Sequence, residues 1–226
     1  GMPQSSLDKA MTGAVPGGDL PLELTVAPFA KPGQQRATVA IVAGLNRSAE
    51  GPQKDTVQMA ARAFDQSTAL RTSKGVSTAT VMLSPKTTAQ DTHYDVATTL
   101  DLAPGQYEIR LAMETKAPAL QGSAFLAVTV PDFAKEPLSL SGIVLTHAPA
   151  PRPVGRDPLA NLLPYTPTTV RTFSPQQRIL AMLRLYQGAD HPMVPVNVAV
   201  RIVDRRDKPV YSRSGQLTPS SFLTDD

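Results

Sequence analysis

Downstream of Leu20 the chain alternates apolar and polar residues with a period of two between turn residues, the mark of half-buried strands. Residues 20–26 (LPLELTV) put Leu20, Leu22, Leu24 and Val26 on one face, and Pro21 and Pro28 suit an edge strand. Residues 36–45 follow with Val39 and Ile41 inward, then residues 56–65 with Val57, Met59, Ala61 and Ala63 on one face, then residues 76–83. Tyr94, Val96, Thr98, Leu100 and Leu102 alternate up to a Pro104-Gly105 corner, Tyr107, Ile109, Leu111 and Met113 form the sixth strand, and Ala124, Leu126, Val128 and Val130 the seventh. Only two stretches read as helical. Residues 6–13 have Ser6 as a capping serine and Gly13 as a terminator, and residues 157–163 have room for a turn or two.

Seven short strands without intervening helices predict an all-β fold, an immunoglobulin-like or fibronectin type III-like antiparallel β-sandwich, with a barrel as the main rival. The corner favours the sandwich. In the pattern Leu102-x-Pro104-Gly105-x-Tyr107, the tyrosine is placed to return its hydroxyl to the backbone near the turn, as a tyrosine corner does.

The composition shifts at Val130. Between Pro131 and Pro175 lie nine prolines, which cannot supply a regular hydrogen-bond ladder, although residues 138–145 inside that stretch are strand-like. Beyond it the first pattern returns: residues 36–42 (RATVAIV) correspond to 178–184 (RILAMLR), and 57–65 (VQMAARAFD) to 196–204 (VNVAVRIVD), each of the latter pair ending in an aspartate that opens a polar turn. This is a long-period repeat of a whole sandwich. The expected division is a sandwich with a short N-terminal helix over residues 1–146, a Pro-rich linker over 147–164, and a second, incomplete β-sandwich-like domain over 165–226. About four strands of the second copy are present, so an apolar face and unpaired edges are expected there, completed by further chain or by another partner.

Charge and composition narrow the classes. Hydrophobic residues make up 41% and charged residues 18%, and Lys plus Arg exceed Asp plus Glu by 22 against 19, with one short basic knot at 205–208. That is a globular chain without the basic, aromatic-interleaved stripe of a nucleic-acid binder. No window reaches the roughly 18 uninterrupted apolar residues of a membrane-spanning helix. There is no cysteine for a disulfide or thiolate site. Gly1 ahead of Met2 reads as a cloning remnant, so the 226 residues are expected to be a piece of a longer protein.

The segments SSLDKAMTG, LPLELTVAPFA, DLAPGQYEIRLAM and VTVPDFAKEPLSLSGIVL, with the strands of residues 173–217, together resemble the region following the von Willebrand factor type A domain in acidobacterial "VWFA-related" proteins. The similarity spans most of residues 5–217. The resemblance implies an exported bacterial protein (periplasmic, secreted or on the cell surface) whose N-terminal type A domain is able to carry a metal-ion-dependent adhesion site, with β-sandwich modules after it. That metal site does not carry over. Its Asp-x-Ser-x-Ser pattern meets Asp65-Gln66-Ser67-Thr68-Ala69, where the final serine is alanine and the setting is a β-turn.

Other chemistry is sparse. Ser6-Leu7-Asp8-Lys9 fits a Ser-x-x-Lys nucleophile box without its companion Lys-Thr-Gly, Lys86-Thr87-Thr88 being the nearest match. His93, His147 and His191 fall in different segments with no partner at ligand spacing. Asp91, Asp95 and Asp101 alternate on the outer face of a strand and are expected to be solvated, with His93 at the strand end on the surface. Asp204 and Asp207 flank two arginines, where local pairing is expected. No catalytic residue, cofactor or metal is expected. The predicted function is a structural or interaction module with an unidentified protein partner, reached through an edge strand or domain-completing contact in residues 165–226. The alternative is a carbohydrate- or ligand-binding sandwich, for which Tyr165, Tyr186 and Tyr211 are the available aromatic platform.

Overall fold

The computed structural model describes residues 5–48, 54–68, 73–83, 92–148, 154–155 and 157–222. Its first unit is a two-sheet antiparallel β-sandwich. One sheet has three strands in the order β1 (Glu23–Phe29), β2 (Ala37–Arg47), β5 (Thr92–Leu102). The other has four in the order β4 (Ser73–Leu83), β3 (Asp55–Asp65), β6 (Gly105–Thr115), β7 (Gln121–Val130).

The period-two pattern decides which side chains meet between the sheets. Val39, Ile41, Ala43 and Leu45 of β2 and Val96, Leu100 and Leu102 of β5 face Val57, Met59, Ala61 and Ala63 of β3 and Ile109, Leu111 and Met113 of β6, all buried in one cluster. Each large apolar side chain fully removed from water contributes about 1.5–3 kcal/mol, which offsets the cost of ordering the strands. Among the described residues the proline-bearing β1 pairs with β2 alone, which leaves Pro28 on a sheet edge. At the far rim, buried Asp55 pairs with Arg47 (2.8 Å) and accepts the backbone N–H of Lys116 (3.0 Å) and Ala117 (2.9 Å), tying both sheets to one loop.

Each outer face is covered in part. Helix α1 (Ser6–Thr12) lies on the four-stranded sheet through Leu7 and Met11 against Ala60 and Ala112. Arg110, 2% exposed on the outward side of β6, donates to the carbonyls of Met11 (2.7 Å) and Gly13 (2.8 Å) at the helix end and sits against the rings of Phe64 and Phe125. These are the C-terminal carbonyls that a helix leaves without internal partners. The cap at the other end is Ser5, whose Oγ accepts from the Asp8 N–H at 3.1 Å, and not Ser6. Ser6 is the first helical residue, and its hydroxyl donates to Glu114.

Beyond the first sandwich, Val144, Leu159, Leu163 and Met182 pack on the outer face of the three-stranded sheet. Strand β9 (Val144–Ala148) pairs with β10 (Arg178–Met182), β8 (Ser139–Leu140) with β11 (Leu185–Tyr186), and β12 (Val196–Val203) with β13 (Pro209–Leu217). The expected boundary between residues 146 and 147 therefore falls inside a strand. Of the expected linker, residues 149–153 and 156 lie outside the described residues, while the turn at residues 158–162 buries Leu159 and Leu163 against Ala27, Phe29, Ala40 and Val42. Proline removes ladder donors, but it does not prevent neighbouring leucines from packing. The stretch at 157–163 forms turns and not a helix, opened by Asp157 Oδ1 accepting the Leu159 N–H (2.9 Å).

The repeat is visible in the pairing. β9 pairs with β10 as β1 does with β2, and β12 with β13 as β3 does with β4. The register shift in each hairpin falls at the same repeat position, between Ala63 and Phe64 and between Ile202 and Val203. Each turn opens with an aspartate accepting a backbone N–H two residues on: Ser67 to Asp65 (2.8 Å) and Arg206 to Asp204 (2.8 Å).

Candidate functional site

Where the second half meets β5, the structure gathers a buried polar cluster. On β2 and β5, residues of one parity fill the sandwich, so those of the other parity, Val42 with Ala97, Gly44 with Asp95 and Asn46 with His93, form a row on the outer face. Residues 165–171 lie across that row. Asp95, 7% exposed, accepts the Thr168 hydroxyl (2.6 Å), the Thr169 N–H (2.9 Å) and the Thr169 hydroxyl (2.7 Å), and its Oδ1 lies 3.1 Å from Nε2 of His93. The expected solvated aspartate is thus buried. Its parity was read correctly, but a covering segment replaces the solvent. His93 is likewise drawn into the cluster and is not a free strand-end residue.

Gly44 makes this approach possible. A Cβ there would lie 1.9 Å from Thr169 Oγ1 and 2.8 Å from His93 Cε1, so any side chain would push the covering segment away. Nδ1 of His93 lies 2.9 Å from Oδ1 of Asn46, and Nε2 lies 3.0 Å from the Thr169 hydroxyl oxygen and 3.1 Å from Asp95 Oδ1, a setting that favours the protonated ring.

Electrostatics agree. Burial opposes protonation of His93, but the hydrogen bond and charge of Asp95, with the charge of Glu23, outweigh it and hold the pKa above the ordinary 6.5. For Asp95 burial favours the neutral acid, yet hydrogen bonds from His93, Thr168 and Thr169 outweigh it and hold its pKa below 3.8.

An aspartate, a histidine and a threonine in contact invite comparison with a nucleophilic triad, but the connections differ. In a triad the acid and the nucleophile bind opposite ring nitrogens. Here Asp95 and Thr169 share Nε2, the threonine proton goes directly to the carboxylate, and Thr169 is 2% exposed. A crevice of about 10 Å³ beside Asp95, edged by Val42, Ala97, Pro158, Thr166 and Pro167, has room for a water and not a substrate. What the cluster does is join. Around it Arg171 donates to Thr25 of β1 (2.7 Å), Thr168 N–H to the Leu145 carbonyl (2.8 Å), and the Thr146 hydroxyl to the Thr166 carbonyl (2.7 Å).

The other residues singled out in the sequence are scattered. The Tyr107 hydroxyl donates to the carbonyl of Ala103 at 3.0 Å, and its ring packs so closely on Gly105 that a Cβ there would meet Tyr107 Cε2 at 3.3 Å. Pro104 stands between these partners, completing the turn from β5 into β6. Tyr165 is exposed in a turn, Tyr186 in β11 packs edge-on against Phe133 (4.8 Å), and Tyr211 lies exposed on β13, so the three occupy separate elements. Asp65 holds the Ser67 N–H and hydroxyl, hydrogen bonds that lower its pKa, while Ala69, Lys86 and Asp91 lie outside the described residues. Asp204 accepts the backbone of Arg206 and Lys208 and is not paired with an arginine side chain in that contact. Asp101 meets Lys31 (3.0 Å) and Thr38 at the surface. His147 packs edge-on against Phe173, and His191 lies 2.9 Å from the Lys135 carbonyl. Among the described residues, no three His, Asp or Glu side chains gather to hold a metal ion.

Gly44, Thr168, Thr169 and Arg110 were missed in the sequence. A signal existed for Gly44: residues 38–45 (TVAIVAGL) are almost continuously apolar, a pattern that strands show when both faces are buried. Compared with protein-family models, curated proteins and solved structures, the chain matches none.

Proposed function

We propose that this chain is a non-catalytic structural and interaction module of an exported bacterial protein, in which a fibronectin type III-like sandwich and a second sandwich-like unit hold a neighbouring adhesive domain at a fixed distance and orientation. The observation that carries the reading is the Asp95 cluster. Its charged and polar groups are directed at one another across the seam between the two halves, where they resist bending, and not at an open cleft. A spacer needs this kind of stiffness. Hydrophobic contacts alone let halves slide, whereas buried hydrogen bonds to a carboxylate fix a register. The strand order β1-β2-β5 with β4-β3-β6-β7, in which the fourth strand joins β3, supports the type III-like reading of the first unit.

Two measurements on the chain test this. Small-angle scattering should give one rigid envelope that loosens when Asp95 is replaced by alanine. A thermal-shift screen against glycans and nucleotides should leave the melting temperature unchanged. A reproducible, saturable sugar-dependent rise would overturn the spacer reading in favour of a ligand-binding sandwich.

A further inference from the structure

We propose that the cationic end of the β12–β13 hairpin is an electrostatic contact for an anionic lipid surface. Of the chain's 22 basic and 19 acidic residues, 5 and 2 lie in residues 196–217, which leaves 17 of each elsewhere, so this hairpin carries the whole net charge of +3. The basic residues are Arg201, Arg205, Arg206, Lys208 and Arg213, and every residue from 199 to 216 is exposed. Among the described residues none of the five cations pairs with an acid. One of the two acids is engaged by the turn itself: Asp204 Oδ1 accepts the N–H of Arg206 (2.8 Å) and of Lys208 (3.0 Å). Exposed, unpaired charge of one sign gathers a partner of the other sign.

The first hairpin shows that the fold does not ask for these cations. Its turn places Gln66 and Ser67 where the second has Arg205 and Arg206, and it is held by the same aspartate contact. Arg62, at the repeat position of Arg201, is neutralised by Asp8 of α1, whereas Arg201 meets no acid among the described residues. The distribution of charge selects the partner. Arg213 shares a face with Val200, Arg201 lies on the opposite face with Ser212, and Arg205, Arg206 and Lys208 lie at the tip, so the charge surrounds the hairpin and forms no flat patch. A folded acidic protein meets one face, whereas mobile headgroups gather on all sides. The side chains beside the cations are mainly aliphatic, the exposed Ile202, Val203 and Val210, with Tyr211 as the one aromatic. Single-stranded nucleic acid is held by stacking on aromatic rings, while a lipid interface takes aliphatic and tyrosine side chains next to cations at the phosphates. This goes beyond the spacer reading, because it rests the second half on a surface. It does not use the seam at Asp95, so either reading can fail alone.

The test is co-sedimentation of the whole chain with vesicles of phosphatidylcholine and phosphatidylglycerol, and with vesicles of phosphatidylcholine alone. Binding should occur on the anionic vesicles only and should weaken as added salt shortens the screening length. Each cation held near such a surface strengthens partitioning about fivefold, so Arg205→Gln combined with Arg206→Gln should weaken it roughly 25-fold. Both are exposed turn positions, and the melting temperature of that variant should match the wild type. Lys54→Gln combined with Arg178→Gln, which removes two exposed cations outside the hairpin, should leave vesicle binding unchanged. No binding to anionic vesicles, equal binding to phosphatidylcholine alone, or undiminished binding by the Arg205 and Arg206 variant would overturn the proposal. So would tighter binding of an oligothymidylate or of polyglutamate than of the anionic vesicles at the same salt, since the hairpin would then be a nucleic-acid or acidic-protein contact.

Discussion

Replacing Asp95 with alanine removes the acceptor of three hydrogen bonds and the partner of the His93 ring, all at a site 7% exposed. Hydrogen bonds to a charged group contribute about 1.5–3 kcal/mol each, and stranding one side of a buried ionic pair costs about 3–5 kcal/mol. Against this stands the carboxylate's own burial, a cost the variant avoids. The donors left behind, the Thr169 N–H and two hydroxyls, remain under the covering segment. The balance is a loss of about 3 kcal/mol, which for a chain of this size lowers the melting temperature by about 6–12 °C. Hydrogen exchange locates the effect: amides of residues 165–171 should open first, while those of β3 and β6 keep their protection. Asp95→Asn retains one acceptor oxygen and should fall between wild type and alanine. A loss under about 1 kcal/mol for Asp95→Ala, or uniform loss of protection over the first sandwich, would refute the account of the cluster as a clamp between halves.

Gly44→Ala should be nearly as damaging as Asp95→Ala, about 2–3 kcal/mol, because its methyl cannot coexist with Thr169 1.9 Å away; exchange at 165–171 and denaturant midpoints check it, and Thr169→Ala in the same chain should restore part of the loss. Tyr107→Phe deletes the hydrogen bond to Ala103 and should lower stability by about 1 kcal/mol in urea titration without changing the seam. The pH profile follows from two opposed shifts. His93 is raised above 6.5, so its stabilisation is fully present below about pH 6.5 and is lost as pH rises through the raised value; Asp95 is lowered below 3.8, so its stabilisation is present above that value and is lost as pH falls through the lowered one. Stability of the seam should peak between those limits, and the alkaline decline should vanish in His93→Gln.

Much of the first sandwich was legible because a period of two carries its own geometry. Once Val57, Met59, Ala61 and Ala63 share a parity, they share a face, and the corner at Pro104-Gly105 follows from chemistry within five residues. The repeat was legible for the same reason, down to the paired aspartates at 65 and 204. The cap at Ser5 was missed by one residue, since two adjacent serines offer the same side chain and only the path of the backbone selects between them.

Alternation determined which side of β5 Asp95 occupies. It could not determine what lies there, because the residues that bury it are 73 and 74 positions away and carry no pattern that points back to it. The same holds for Leu159 and Leu163, which in a proline-rich stretch look like linker until the sheet face beneath them is seen. Parity, turn chemistry and repetition are local properties of the chain and are written in its sequence. Which outer face is covered, and by which distant segment, depends on shape matching between surfaces that exist only after both have folded.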